Sequence, residues 1–79
     1  MSTEHYFKKI KDVVSDKVGI DAHEIKMDSF IEDDLNIGEL ELHDILQELE
    51  EYYNVDLIED RNEIETVQDL VDLLSEKID

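Results

Sequence analysis

The chain of 79 residues contains no cysteine, no proline and no tryptophan, and its only glycines are Gly19 and Gly38. Without cysteine, neither a disulfide nor a thiolate metal site can stabilise the fold. Sheet proteins need many turn residues, so the scarcity of glycine and proline favours helices joined by short polar loops. A chain of this length predicts one small domain over residues 1–79.

Long apolar runs and basic residues are also scarce. No apolar stretch approaches the length of a membrane span and no cationic, apolar leader precedes the domain, so we expect a soluble, cytosolic protein. There are seven lysine and arginine residues for 24 aspartates and glutamates, which gives a formal net charge of −17. This charge disfavours nucleic acids and anionic membranes as partners, and it favours basic protein surfaces and divalent cations. We expect a monomer.

The charge is distributed unevenly along the chain. Residues 27–60 contain 13 acidic residues and neither lysine nor arginine, whereas four of the six lysines lie within the first 17 positions. A solvated acidic face that aids solubility is the simplest interpretation. The concentration of acid in one segment also favours an interaction surface for a basic partner.

Apolar residues repeat at three- and four-residue steps in three segments, which predicts three amphipathic helices. Ser2 or Thr3 is expected to cap the first helix, which ends at Gly19. The second helix spans about Glu39–Tyr53, and Thr66 caps the third. The apolar stripes are Phe7, Ile10, Val13, Val14 and Val18; Leu42, Ile45, Leu46, Leu49 and Tyr53; and Val67, Leu70, Val71, Leu74 and Ile78.

A long loop, residues 20–38, separates the first two helices and must be held by apolar side chains of its own. The candidates are Ile20, Ile25, Phe30, Leu35 and Ile37. Ser29 and Glu32 have capping-box spacing, which predicts a short helical turn. Residues 55–58 are interpreted as a connector to a short helical piece at about residues 59–63. The sequence therefore predicts an all-α four-helix bundle with three longer helices, one short helix and a long first loop.

Four segments together resemble the acyl carrier proteins. Residues 18–20 resemble the Leu-Gly-Val that ends the family's first helix, and residues 30–35 resemble its Phe-x-Glu-Asp-Leu with one additional acid. Residues 39–57 follow its second helix without a gap, and residues 66–70 resemble the Thr-Val start of its last helix. No single segment is specific, but their order and spacing extend over nearly the whole chain. The resemblance implies the phosphopantetheine-carrier fold.

The resemblance fails at the position that carries the family's chemistry. Where the family reads Asp-Leu-Gly-x-Asp-Ser-Leu, its Asp-Ser corresponds to Gly38 and Glu39 here, followed by Leu40. In the family, the serine hydroxyl attacks the phosphate linkage of coenzyme A and then carries the 4'-phosphopantetheine arm. A carboxylate cannot form that phosphodiester, so we expect no cofactor on this chain.

Glu39 itself has three interpretations. An acidic side chain at a helix N-terminus is favoured by the helix dipole by about 0.3–1 kcal/mol. Alternatively, Glu39 mimics the phosphodiester and offers a partner the negative charge that the family's arm would supply. A third interpretation is an engineered replacement of serine. The neighbouring Gly38 favours a natural variant, because an engineered block would alter only the serine.

In the family, the acidic second helix docks on basic patches of partner enzymes. The residues that the resemblance implies for this contact are Glu41, Asp44, Glu48, Glu50 and Glu51, flanked by Asp56, Glu59 and Asp60. The family's core also opens to hold an acyl chain, and the corresponding residues here are Leu42, Leu46, Leu49, Leu57, Ile64 and Leu70. Without an arm to deliver an acyl group, ordinary core packing is the simpler interpretation of these six.

No other set of residues predicts catalysis, so we do not expect an enzyme. An EF-hand reading that starts at Asp33 fails, because Leu35 and Ile37 cannot ligate calcium. The three histidines have no ligand spacing among them. The one metal site considered is a weak calcium or magnesium site among Glu48, Glu51, Asp56 and Asp60.

The sequence therefore predicts an acyl-carrier-like interaction module that lacks the attachment serine. It would dock its acidic second helix on basic surfaces of enzymes or scaffolds of acyl or peptidyl metabolism. One alternative is a true acyl carrier protein of fatty acid or polyketide biosynthesis, with its serine engineered away or its arm on Ser29. Ser29 lies about ten residues before the second helix, which is the wrong context. Another alternative is an acidic decoy that binds a basic surface.

Overall fold

The computed structural model describes residues 3–79, and its regular structure is helical. The α-helices are α1, Thr3–Val18, α2, Glu39–Tyr53, and α3, Val67–Ile78, and the 3₁₀ helices are Ala22–Glu24 and Ile58–Glu63. The predicted all-α bundle, with a short helix after the second long one, is confirmed. None of the helices within residues 3–79 is long and apolar enough to cross a membrane.

Two predicted helix ends have the expected geometry. Gly19 adopts a left-handed backbone, with φ of 73°, and its N–H donates to the Ser15 carbonyl at 3.0 Å, which ends α1. Thr66 begins α3 with a complete capping box. Its Oγ1 accepts a hydrogen bond from the Asp69 N–H at 3.1 Å, and Oδ2 of Asp69 accepts from the Thr66 N–H at 3.1 Å.

The start and the buried face of α1 differ from the prediction. Thr3 already lies within the helix and is not its cap, and the predicted Ser2 cap lies outside the described residues. The buried residues of α1 are Tyr6, Ile10, Val13 and Val14. Phe7 and Val18 are only half-buried. The apolar ring of Tyr6 occupies the core, so the buried stripe begins one residue earlier than expected.

The core is a single cluster to which all three α-helices and the long loop contribute. α1 packs against both α2 and α3. Complete burial of an aliphatic side chain contributes about 1.5–3 kcal/mol, so the leucines of α2 fix this helix in orientation. The side chains with no exposed surface are Tyr6, Leu46, Leu49, Leu57, Val71 and Leu74. The acidic residues of α2 are thereby directed to the surface.

Backbone hydrogen bonds hold the long loop to the start of α3. The Ile31 N–H donates to the Glu65 carbonyl at 2.9 Å, and the Val67 N–H donates to the Ser29 carbonyl at 3.1 Å. These bonds form an isolated antiparallel bridge, which the sequence analysis missed. The loop is therefore held by pairing with a distant segment as well as by its own side chains.

Most of the apolar side chains expected to hold the loop do so. Ile25, Leu35 and Ile37 are buried, and Ile20 is half-buried. Phe30 was expected to join them but is 46% exposed, and Ile31 is buried in its place. Neighbouring residues of an extended segment point to opposite sides, so burial of Ile31 directs Phe30 outward.

A helical turn forms where it was predicted, but not through a capping box of Ser29 with Glu32. The Asp34 N–H donates to the Phe30 carbonyl at 2.9 Å, and Oδ2 of Asp34 accepts a hydrogen bond from the Phe30 N–H at 2.8 Å. The Ser29 Oγ instead accepts a hydrogen bond from the Lys26 N–H at 3.0 Å. A 3₁₀ helix forms earlier in the loop, at residues 22–24, where Oδ1 of Asp21 accepts from the His23 N–H at 2.9 Å. A short polar side chain before a helical turn caps it in this way.

Candidate functional site

Glu39 is the first residue of α2, at the helix end where backbone N–H groups have no partner within the helix. Its side chain is 74% exposed, and its Oε1 lies 3.4 Å from Nη2 of Arg61. Arg61 belongs to the 3₁₀ helix Ile58–Glu63 and is the only arginine of the chain. The helix dipole and the guanidinium both favour a carboxylate at this position.

Gly38 is the N-cap of α2 and has ordinary extended backbone angles, φ −78° and ψ 174°. It has no side chain with which to cap the helix. Glu41 reaches back, and its Oε1 accepts a hydrogen bond from the Gly38 N–H at 3.0 Å. A β-carbon added at Gly38 would lie 3.4 Å from that oxygen. Position 38 can therefore accept an aspartate without backbone strain.

The acidic residues assigned to partner contact fall into three groups, the last of which is Glu50 alone. Those that are exposed are Glu41, Asp44, Glu51, Asp56 and Glu59. Two others form ion pairs, with 3.4 Å between Oε1 of Glu48 and Nζ of Lys17 and 2.9 Å between Oδ2 of Asp60 and Nζ of Lys77. The hydrogen bond from Lys77 to Asp60 raises the pKa of Lys77. Free carboxylates thus remain on α2, and ion pairs tie this region to α1 and α3.

Glu50 has a structural role that the sequence analysis missed. Its Oε2 accepts hydrogen bonds from the Leu57 N–H at 2.6 Å and from the Ile58 N–H at 3.0 Å. These donors lie at the N-terminus of the 3₁₀ helix Ile58–Glu63, where they have no helical partner. A carboxylate forms strong, charge-assisted bonds with such donors. Glu50 therefore holds the segment that carries Arg61 against α2.

The six residues that the resemblance implies for an acyl pocket belong to the core. Leu46, Leu49, Leu57, Ile64 and Leu70 are buried, and Leu42 is half-buried. A cavity beside Leu42 and Leu70 has a volume of about 10 Å³, close to the space that one water needs. That volume is far too small for an acyl chain, so core packing describes these side chains in this conformation.

A larger groove lies outside the core, beside Glu39. Its volume is about 630 Å³, and it is lined by part of the long loop, by the start of α2 and by residues near the end of the 3₁₀ helix Ile58–Glu63. The lining residues are Phe30, Ile31, Glu32, Asp33, Ile37, Gly38, Glu39, Leu42, Arg61, Asn62, Ile64 and Glu65. We refer to it as the Glu39 groove. It combines apolar side chains with a charged rim, and the sequence analysis did not predict it.

The weak cation site suggested among Glu48, Glu51, Asp56 and Asp60 does not form. Within residues 3–79, no group of three or more histidine, aspartate or glutamate side chains could hold a metal ion. Glu48 and Asp60 are paired with lysines instead. The carboxylates of this surface are spread over it and do not converge on one point, as calcium coordination would require.

Ser29, the alternative attachment residue, is 93% buried, with 7% of its surface exposed. Its Oγ accepts the hydrogen bond from the Lys26 N–H, and its carbonyl takes part in the bridge to α3. A modifying enzyme needs an exposed hydroxyl, and this one is enclosed by the loop.

The sequence matches known proteins over most of its length. Residues 4–68 match a family described as "Protein of unknown function (DUF1493)". The acyl carrier protein of Clostridium acetobutylicum is 36% identical over 69 residues, which cover 86% of this chain and 90% of that protein. The acyl carrier protein of Petrotoga mobilis is 34% identical over 79 residues, which cover 99% of this chain and 93% of that protein. The acyl carrier protein of Solidesulfovibrio magneticus is 32% identical over 71 residues, which cover 89% of this chain and 91% of that protein. By these matches, the chain belongs both to the DUF1493 family and to the acyl carrier protein family.

Proposed function

We propose that this chain is an acyl-carrier-like interaction module that docks on basic protein surfaces and carries no phosphopantetheine arm. The observation that carries the proposal is the position of Glu39. The ungapped resemblance along residues 39–57 aligns it with the family's attachment serine, and it is the first residue of α2. A carboxylate lacks the hydroxyl that would attack coenzyme A. The site therefore keeps a negative charge but cannot attach a phosphopantetheine arm.

Exposure and charge support docking through α2. Asp44 and Glu51 are exposed, as is Leu40, which has 85% of its surface accessible at the start of the helix. Acidic surfaces accelerate encounter with basic partners and fix their orientation. An exposed leucine beside such charges adds apolar contact area. These features favour the basic surfaces of enzymes or scaffolds that use acyl carriers as the partners.

The alternative of a true carrier with its arm on Ser29 is disfavoured by the burial of that side chain and by its hydrogen bond to Lys26. Incubation of the unaltered protein with coenzyme A and a broad phosphopantetheinyl transferase tests this directly. We expect the intact mass to remain unchanged in mass spectrometry. Modification mapped to Ser29 would overturn the proposal.

Docking is tested by competition with an ordinary acyl carrier protein for a condensing enzyme. We expect this chain to inhibit acyl transfer competitively. Changing Asp44 and Glu51 together to lysine should weaken the inhibition about tenfold or more, because both charges lie on the docking face. The matched control changes the exposed α1 residues Asp12 and Asp16 to lysine, which alters the net charge by the same amount.

Two outcomes of the competition experiment would contradict docking through α2. The first is no inhibition by the unaltered protein. The second is equal weakening by the α2 and α1 charge changes, because it would mean that net charge alone causes the inhibition. That second outcome is the behaviour of a nonspecific acidic decoy.

A further inference from the structure

The Glu39 groove is separate from the carboxylates of the docking face. Its volume of about 630 Å³ lies within the range of pockets that hold ligands. Phe30 lines it and is partly exposed, while Ile37 and Ile64 line it and are buried. A side chain placed in the groove would therefore contact the partly exposed ring of Phe30.

The rim of the groove is predominantly acidic. Glu32, Asp33, Glu39 and Glu65 supply four negative charges, and Arg61 supplies one positive charge, which leaves a formal charge of −3. Arg61 is 43% exposed at its side chain, and its 3.4 Å contact with Glu39 is an exposed ion pair. Exposed pairs contribute little stability. A second cation can therefore replace Arg61 at Glu39 at small cost.

The charge and shape of the groove select among its conceivable occupants. Phosphates and other anions are repelled by the net negative rim. A long alkyl chain would meet charged side chains outside and a cavity of only about 10 Å³ inside. Across residues 3–79, no converging group of carboxylates offers a place for a metal ion. A basic side chain would pair with the acidic rim, and a bulky apolar side chain next to it would pack against Phe30.

We propose that the Glu39 groove receives a segment of the partner protein in which a basic side chain lies beside a bulky apolar one. The apolar side chain packs against Phe30, and the basic one replaces Arg61 at the carboxylate of Glu39. Arg61 is then an internal competitor that sets the affinity and specificity of the groove. This proposal rests on the proposed function, since it names the chemistry of the partner that docks.

The test titrates the isotope-labelled protein with a synthetic arginine–leucine peptide and follows its amide NMR signals. Matched arginine–serine and glutamate–leucine peptides serve as controls. We expect the arginine–leucine peptide to bind most tightly and to shift the amide signals of Gly38, Glu39 and Asn62. Phe30→Ser should weaken its binding about tenfold, as truncation of a buried interface side chain does. Tyr52→Ser, which removes a partly exposed aromatic side chain outside the groove, should leave it unchanged.

The role of Arg61 is tested by a gain of affinity. Arg61→Ala should tighten binding of the arginine–leucine peptide about threefold or more, because it removes the competitor and makes the rim more negative. Lys77→Ala removes the same charge from the ion pair with Asp60, and neither of these residues lines the groove, so it should change the affinity less. Equal tightening by the two variants would overturn the role of Arg61.

Two further outcomes would overturn the groove as the site. The first is a set of shifts confined to Asp44, Glu48 and Glu51, and the second is equal binding by the Phe30→Ser and Tyr52→Ser variants. Circular dichroism checks that each variant is folded. If Phe30→Ser unfolds, Glu32→Gln combined with Glu65→Gln tests the rim, and undiminished binding by that variant would count against the proposal. The competition experiment with a condensing enzyme uses no peptide, so failure of the proposed function would be recognised separately.

Discussion

Tyr53 carries a buried polar group at its phenolic oxygen. Its Oη is buried and has no hydrogen-bond partner among the described residues, while its ring packs edge-on against Tyr6 at a centroid distance of 5.7 Å. An unsatisfied buried group costs about 1–3 kcal/mol. Tyr53→Phe removes the hydroxyl and keeps the ring. We expect urea denaturation to give a free energy of unfolding about 1 kcal/mol higher.

Tyr6 is the matched control for this change. Its hydroxyl donates to Oδ1 of Asp79 at 3.1 Å, so Tyr6→Phe loses a hydrogen bond and should lower the free energy of unfolding by about 0.5–1.5 kcal/mol. If Tyr53→Phe also destabilised the protein, the hydroxyl of Tyr53 would have a partner in solution, and the assignment of an unpaired group would be wrong.

The same two tyrosines make stability depend on alkaline pH. Burial raises the pKa of Tyr53 from 10.0 to about 12, and burial followed by the hydrogen bond to Asp79 raises the pKa of Tyr6. The unfolded chain therefore ionises first. The stability that the raised pKa of Tyr53 contributes is complete below pH 10 and is lost as pH rises towards about 12. Urea midpoints should fall over this interval, and they should fall less in Tyr53→Phe. An equal fall in the variant would contradict the assignment to Tyr53.

Single residues could be predicted where the information lay in the neighbouring sequence, and could not where it depended on a partner far away in the chain. Glu39 was identified because the resemblance to the acyl carrier proteins aligns it with their attachment serine, and that resemblance lies within one continuous segment. The ion pair with Arg61 was not predicted, because it joins residues 22 positions apart and depends on how a 3₁₀ helix packs. Tyr6 was also missed, because periodicity favoured the more apolar Phe7 as the start of the buried stripe.

Among the helices, α2 was predicted with its observed bounds, Glu39–Tyr53, and α3 with its Thr66 cap. Their stripes and caps lie within the segments themselves. The long loop was predicted less well. Its bridge to residues 65–67 is a tertiary contact with no local pattern, and this bridge turns Phe30 outward into the groove.

The 3₁₀ helix Ile58–Glu63 depends on one side chain of α2. Glu50→Ala leaves the Leu57 and Ile58 N–H groups without their carboxylate partner. We expect the free energy of unfolding to fall by about 1–3 kcal/mol. Hydrogen exchange at Leu57 and Ile58 should also become faster, as measured by NMR. Glu51→Ala, at an exposed neighbouring position, should change stability by less than about 0.5 kcal/mol. Equal effects of the two variants would show that Glu50 does not hold this segment.

The molecule as a whole is destabilised by its own charge. A net charge of −17 is confined to a body with a radius of gyration of 11.1 Å. Salt shortens the range of this repulsion from about 30 Å at 0.01 M to about 3 Å at 1 M. We expect the melting temperature to rise with sodium chloride over that range. The partly exposed ion pairs of Glu48 with Lys17 and of Asp60 with Lys77 weaken in salt, but each contributes about 1 kcal/mol or less. A melting temperature that fell or stayed constant would contradict dominant self-repulsion.

The central claim is that this carrier fold retains a docking surface and has lost its attachment chemistry at two adjacent positions. Intact-mass spectrometry of three proteins tests it, after each is incubated with coenzyme A and a broad phosphopantetheinyl transferase. The unaltered chain should gain no mass, and Glu39→Ser should be modified partially. Gly38→Asp combined with Glu39→Ser should be modified efficiently, since position 38 accepts a β-carbon with an ordinary contact. Modification of the unaltered chain, or no modification of the folded double variant, would contradict the account.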